Sequence, residues 1–153
     1  MRLTELLDED SIISELKAKN KIGVLEELVD ALKRLHPSVD KNALVKVLLE
    51  RERLGSTGIG DGVAIPHGKF HAITHPVISF GRSSKGLDFE SVDGEPAYLF
   101  FLLVAPENSA SVHLKALAKI AKILKNSSFR KTLMEARGKK DLYQAIIQTD
   151  EEF

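Results

Sequence analysis

The run AYLFFLLVA, residues 97–105, sets the terms for the whole chain. It carries no charge, and both of its alternating faces are apolar or aromatic. A membrane-spanning helix needs about 20 apolar residues, so nine fall well short. A strand rich in aromatics and apolar on both faces reads as the central, fully buried strand of a sheet. Such a strand needs cover on both sides, and the flanking sequence offers helices before and after it.

Before it, residues 21–35 place Ile22, Leu25, Leu28, Val29, Leu32 and Leu35 at helical spacing. Pro37 breaks that helix, and Ser38 or Asp40 can cap the next. Residues 40–53 predict a second amphipathic helix with Leu44, Val47 and Leu48 on one face, ended by Gly55. GVAIP (62–66) and PVISFG (76–81) read as short strands, and residues 85–96 as turns with an edge piece. After Pro106, Leu117, Ile120, Ala121 and Leu124 share one helical face, with Ser109 or Ser111 as cap. Shorter helices are predicted near 127–136 and 139–148, separated by Gly138. The expectation is one α/β domain over residues 1–153, with a mixed central sheet of about five strands and helices on both sides.

Composition excludes several functions. The 153 residues carry 22 basic and 22 acidic side chains, a formal net charge of zero. Nucleic acid or an anionic membrane as main partner needs a basic excess. There is no cysteine, hence no disulfide, thiolate metal site or thiol nucleophile. The N-terminal sequence is acidic by its eighth residue and lacks an apolar run, so no signal peptide is expected. A cytoplasmic protein without membrane insertion is the expectation.

Residues 55–75, GSTGIGDGVAIPHGKFHAITH, concentrate the unusual residues. Gly58, Gly60 and Gly62 give G-x-G-x-G after a helix and before a strand. The dinucleotide fingerprint requires G-x-G-x-x-G in the opposite context. The glycines therefore read as a helix-to-strand connection needing positive φ or close backbone approach. His67, His71 and His75 recur four apart, a metal-site spacing only on a helix, and Pro66, Gly68 and Pro76 oppose a helix there. His71, His75 and His36 read as loop histidines, and no metal is expected.

His67 differs from them. It ends an apolar strand, Pro66 stiffens the approach, and Gly68 leaves the imidazole unshielded on one side. Neutral imidazole is nucleophilic near pH 7 and suits phosphoryl chemistry. From the residues alone, a functional role and a plain loop role both stand. His113, in the first turn of its helix, leads the apolar stripe and so faces the core. It is either a buried histidine with one satisfied bond or part of an anion site at a helix N-terminus. Arg51 continues the apolar face of its helix and must meet an anion or a carboxylate, with Glu52 and Glu90 the ordinary candidates. Lys115, Lys119, Lys122 and Lys125 read as a solvated face.

RERLGSTGIGDGVAIPHGK (51–69) resembles the signature of the fructose/mannitol-type (type 2) enzyme IIA domain of the bacterial phosphoenolpyruvate-dependent phosphotransferase system. Glu52, Ile59, Gly60, Val63, Ala64, Ile65, Pro66, His67 and Gly68 satisfy that pattern without a gap. VHLKALAKIAKIL (112–124) resembles the second histidine segment and LYQAII (142–147) the C-terminal end. The wording is most similar to the nitrogen-regulatory, stand-alone branch, and the chain is too short for added IIB or IIC domains. The resemblance implies a phosphotransferase component without cofactor or metal. His67 would be phosphorylated on Nε2, His113 would support the phosphoryl group, and Arg51 would stabilise it. His113 is also expected to donate a hydrogen bond that helps fix the His67 tautomer. An HPr-like phosphocarrier would be the donor, and a IIB domain or regulatory target proteins the output. The alternatives are a sugar-specific fructose or mannitol IIA component and a protein-binding module that transfers nothing.

Overall fold

The apolar run forms β6 (Ala97–Ala105), and its side chains alternate between two cores. Phe100, Leu102 and Val104 enter one cluster, whereas Leu99, Phe101 and Leu103 enter the other. The computed structural model describes residues 2–152. The expected domain of 1–153 thus includes two residues, Met1 and Phe153, that lie outside the described ones.

The other strands are β1 (Leu7–Ile13), β2 (Gly58–Gly60), β3 (Val63–Ala64), β4 (His67–Lys69) and β5 (Val77–Leu87). The described residues form one six-stranded sheet in the order β1-β5-β6-β3-β2, with β4 also paired to β6. β5 and β6 are antiparallel, while β1 runs parallel to β5 and both β3 and β4 run parallel to β6. The sheet is mixed, as expected, but has six strands where about five were predicted. Part of the addition is β1, whose sequence LDEDSII is acidic and lacks a regular alternation. It is an edge strand that buries Leu7 and Ile12 across an irregularity in register.

One face of the sheet is covered by α1 (Lys21–Leu35) and α2 (Lys41–Arg53). Asn20 caps α1 by accepting from the Gly23 amide, and Asp40 caps α2 by accepting from Ala43. Ile22 and Leu35, at the two ends of α1, are exposed instead of joining its apolar face. The other face is covered by α3 (Ala110–Leu124), α4 (Ser127–Glu135) and α5 (Lys139–Glu152). Of the two expected caps of α3, Ser109 holds the N-cap position, but its hydroxyl donates to the Pro106 carbonyl and makes no capping bond, while Ser111 lies inside the helix. Lys119 departs from the solvated face: it pairs with the buried Asp150 carboxylate of α5.

The glycine run is more than a connection. It contains β2, which turns back antiparallel onto β3. Asp61 and Gly62 make that turn with φ of 57° and 77°, the two positive values that a two-residue type I′ hairpin needs. The strand expected over 62–66 shrinks to Val63–Ala64, and a separate strand begins at His67.

On β5, Arg82 is buried, at 7% exposure. Its Nε donates to the Ser14 carbonyl at 3.0 Å, and its Nη1 to Leu133 at 2.9 Å and Ala136 at 2.6 Å. The last two are carbonyls at the C-terminal end of α4, the groups that a helix leaves without internal partners. The guanidinium fastens the sheet to the outer helices.

Candidate active site

His67 opens β4 beside the C-terminal end of β6, where it pairs in register with Leu103. From one layer, the last turn of α2 brings Arg51. From the other, the first turn of α3 brings His113. The three side chains that the sequence singled out are 16 and 46 residues apart in the chain and meet at this one place.

The imidazole of His67 is partly buried. Its Nδ1 lies 2.8 Å from the Ile65 carbonyl, and since a carbonyl only accepts, Nδ1 carries the proton. Nε2 then holds the lone pair, and the Nε–H of Arg51 donates to it at 3.3 Å. The same guanidinium donates through Nη1 to the Gly55 carbonyl at 2.9 Å. Burial lowers the proton affinity of His67 below the ordinary histidine range, and the Arg51 charge acts in the same direction. The bond to Ile65 and the Glu52 carboxylate oppose the shift. A neutral imidazole whose lone pair is directed at a cation is a nucleophile suited to an anionic electrophile.

His113 is 7% exposed, so it faces inward as its place in the stripe required. Its ring centroid lies 5.4 Å from that of His67, at 58°. Burial lowers its proton affinity too, reinforced by His67 and Lys69. Among the described residues its Nδ1 has no hydrogen-bond partner.

Three expectations are corrected at this site. The tautomer of His67 is fixed by the Ile65 carbonyl, not by His113. Arg51 has no ion pair with Glu52 or Glu90, because Lys21 takes both, at 3.1 and 3.3 Å. Gly68 does not serve to unshield the imidazole: a Cβ there would meet Val47 Cγ1 at 3.1 Å and Leu48 Cδ2 at 3.4 Å. Its smallness lets α2, and with it Arg51, pack closely on β4. Sequence reasoning also missed Thr57 and Lys21. The only local hint was a threonine just past a helix end.

His71 and His75 stand apart from this cluster. The His71 ring lies against Phe70 at a tilt of 43°, and His75 meets His36 edge-on at 6.0 Å between centroids.

Residues 5–149 match the family model described as "Phosphoenolpyruvate-dependent sugar phosphotransferase system, EIIA 2". The chain belongs to this family. Its EIIA type 2 relatives carry two kinds of name. The Bradyrhizobium diazoefficiens "Nitrogen regulatory protein" is 40% identical over 146 residues, 95% of each chain. The Bacillus subtilis "PTS system fructose-specific EIIABC component" is 39% identical over 150 residues, 98% of this chain but 24% of that protein. The crystal structure of nitrogen regulatory protein IIA-Ntr from Neisseria meningitidis superposes with a TM-score of 0.87 at 32% identity, covering 94% of this chain and 98% of that one. The EIIA fold is thus shared, and no helix among the described residues is long and apolar enough to cross a membrane.

Proposed function

We propose that this chain is a phosphohistidine carrier of the nitrogen-regulatory type, with His67 as the group that accepts the phosphoryl. The observation that carries the reading is the state of one ring: Nδ1–H is held on Ile65, so the Nε2 lone pair points out toward Arg51. The donor would be a small HPr-like phosphohistidine protein. The Nε2 lone pair attacks its phosphorus in line, a new N–P bond forms, and the donor's N–P bond breaks with its electron pair returning to the donor imidazole. The Nδ1 proton keeps its bond to Ile65 throughout.

Such a transfer passes through a loose transition state that needs placement and charge stabilisation more than covalent help. Arg51 must release Nε2 as the phosphorus approaches. Its Nε–H is then free for a phosphoryl oxygen, while the Nη1 bond to Gly55 keeps the guanidinium in place. The buried ring of His113 supplies a second donor from the opposite layer.

Support for a regulatory output comes from the nitrogen-regulatory names of the relatives in Bradyrhizobium and Neisseria, and the output of this chain would be protein targets. The fructose-specific relative supports a second reading, a sugar component that hands its phosphoryl group to a IIB domain. Incubation with phosphoenolpyruvate, enzyme I and the carrier should add one phosphoryl mass, labile to acid. His67→Ala should add none. Uptake of acid-labile phosphate by that variant refutes the assignment. Loss of the label to a fructose IIB domain would decide for the second reading.

A further inference from the structure

Glu52 follows Arg51 in the chain, yet its side chain turns away from the imidazole and into the protein. The side chain is 4% exposed. It accepts from the Thr57 amide at 3.1 Å and from the Thr57 hydroxyl, and it pairs with Lys21 at 3.1 Å. Lys21 is held in turn over the Phe89 ring, 4.7 Å from its centroid. A buried carboxylate needs such partners, and a structural ion pair between α1 and α2 would satisfy that need anywhere along the two helices. Its location makes it more than that.

Two arms run from Glu52 to the two groups of the candidate site. Thr57, buried, accepts at its carbonyl from the Ile65 amide at 3.0 Å, and the Ile65 carbonyl accepts from His67 Nδ1–H at 2.8 Å. That arm ends on the proton that sets the tautomer. In the second arm the Glu52 carbonyl accepts from the Gly55 amide at 3.1 Å, and the Gly55 carbonyl anchors Arg51 Nη1. The four-residue excursion from helix end to sheet is thus pinned by the Glu52 side chain on the first arm and by the Glu52 backbone carbonyl on the second.

We propose that Glu52, acting through Thr57, is a positioning residue of the His67 site that fixes the imidazole tautomer. It touches neither donor nor phosphoryl group. The inference rests on the reading of His67 as the phosphoryl acceptor. Glu52 also places a negative charge that opposes the burial effect on His67.

The test uses the full chain and reads the His67 ring directly. Ring ¹⁵N spectra report tautomer and titration, and rapid-quench transfer from the phosphorylated carrier reports rate and carrier KM. Glu52→Ala should leave His67 a mixture of tautomers and slow transfer about tenfold to a hundredfold, the cost of a misplaced reactive group, with carrier KM unchanged. Glu52→Gln keeps the shape, with the amide oxygen facing the Thr57 amide and the amide nitrogen facing its hydroxyl. It should recover the single tautomer and most of the transfer, with His67 titrating lower than in the wild type. Thr57→Val, which keeps size and charge, should move the tautomer and rate in the direction of Glu52→Ala, and it decides the case if Glu52→Ala does not fold. A wild-type tautomer and rate in folded Glu52→Ala or Thr57→Val overturns the proposal. So does a Glu52→Gln variant as impaired as Glu52→Ala. If the wild-type chain accepts no phosphoryl group, the carrier reading fails, while the ring spectra still decide whether Glu52 sets the tautomer.

Discussion

Replacing Arg51 by lysine separates geometry from charge. The guanidinium makes two bonds from two nitrogens of one plane, Nε to His67 at 3.3 Å and Nη1 to Gly55 at 2.9 Å. A lysine ammonium is a single point at the end of a flexible stem and cannot hold both ends of that span. If it keeps Gly55, the phosphoryl group loses one charged donor. A hydrogen bond to a charged group is worth about 1.5–3 kcal/mol, so transfer should slow by roughly ten- to a hundred-and-fifty-fold. Stability should hardly change. Arg51 is only partly buried and Gly55 is exposed, so about 1 kcal/mol or less is at stake on folding. Rapid-quench transfer and urea unfolding of the same preparation give the two numbers. A rate within about twofold of the wild type would show that the fork does no more than a point charge. A loss of stability as large as the rise in barrier would make Arg51 a structural residue.

Two further outcomes follow from burial. His67, His113 and His36 all have proton affinities pushed below the ordinary value of 6.5, by burial first in each case. Between the lowered folded values and 6.5 the unfolded chain binds more protons, so stability should be full above 6.5 and fall as the pH drops through the folded values. The pH at which transfer falls to half should lie below 6.5, since His67 takes up its proton at a lower pH than an ordinary histidine, and a half-maximal rate at 6.5 or above would contradict the placement of the ring. Arg82→Met removes the donor of four carbonyls, three of them at the end of α4, and should cost on the order of 3 kcal/mol by urea unfolding. A loss under about 1 kcal/mol would show that removing the buried charge offsets the stranded carbonyls.

The helices and β6 were legible because burial imprints a period on consecutive side chains. β1 was not, because only Leu7 and Ile12 are deeply buried among its apolar residues and a register irregularity separates them. β2 was hidden by its two glycines and the exposed Ile59. Arg51 and His113 could be read as inward-facing from their place on a helical stripe, and the structure brings both to His67. What could not be read is whatever runs through backbone carbonyls or across long separations. The Ile65 carbonyl leaves no mark in the side-chain pattern, and Lys21 reaches Glu52 from 31 residues away, which freed Arg51 from the partner expected for it.

Arg82 has one more implication. With its guanidinium held on the carbonyls at the end of α4, that helix cannot slide over the sheet without stranding a cation in the interior. A molecule fastened in this way is badly suited to signalling by changing shape. It is well suited to signalling by bookkeeping of charge. The chain's basic and acidic residues cancel to a formal zero, so a phosphoryl group on His67, its oxygens carrying about −2 against one positive charge on a ring that keeps its Nδ1 proton, would take the whole molecule from neutral to anionic in one step. A partner could then tell the two states apart at a distance, by their pull on its own charges, before any contact is made.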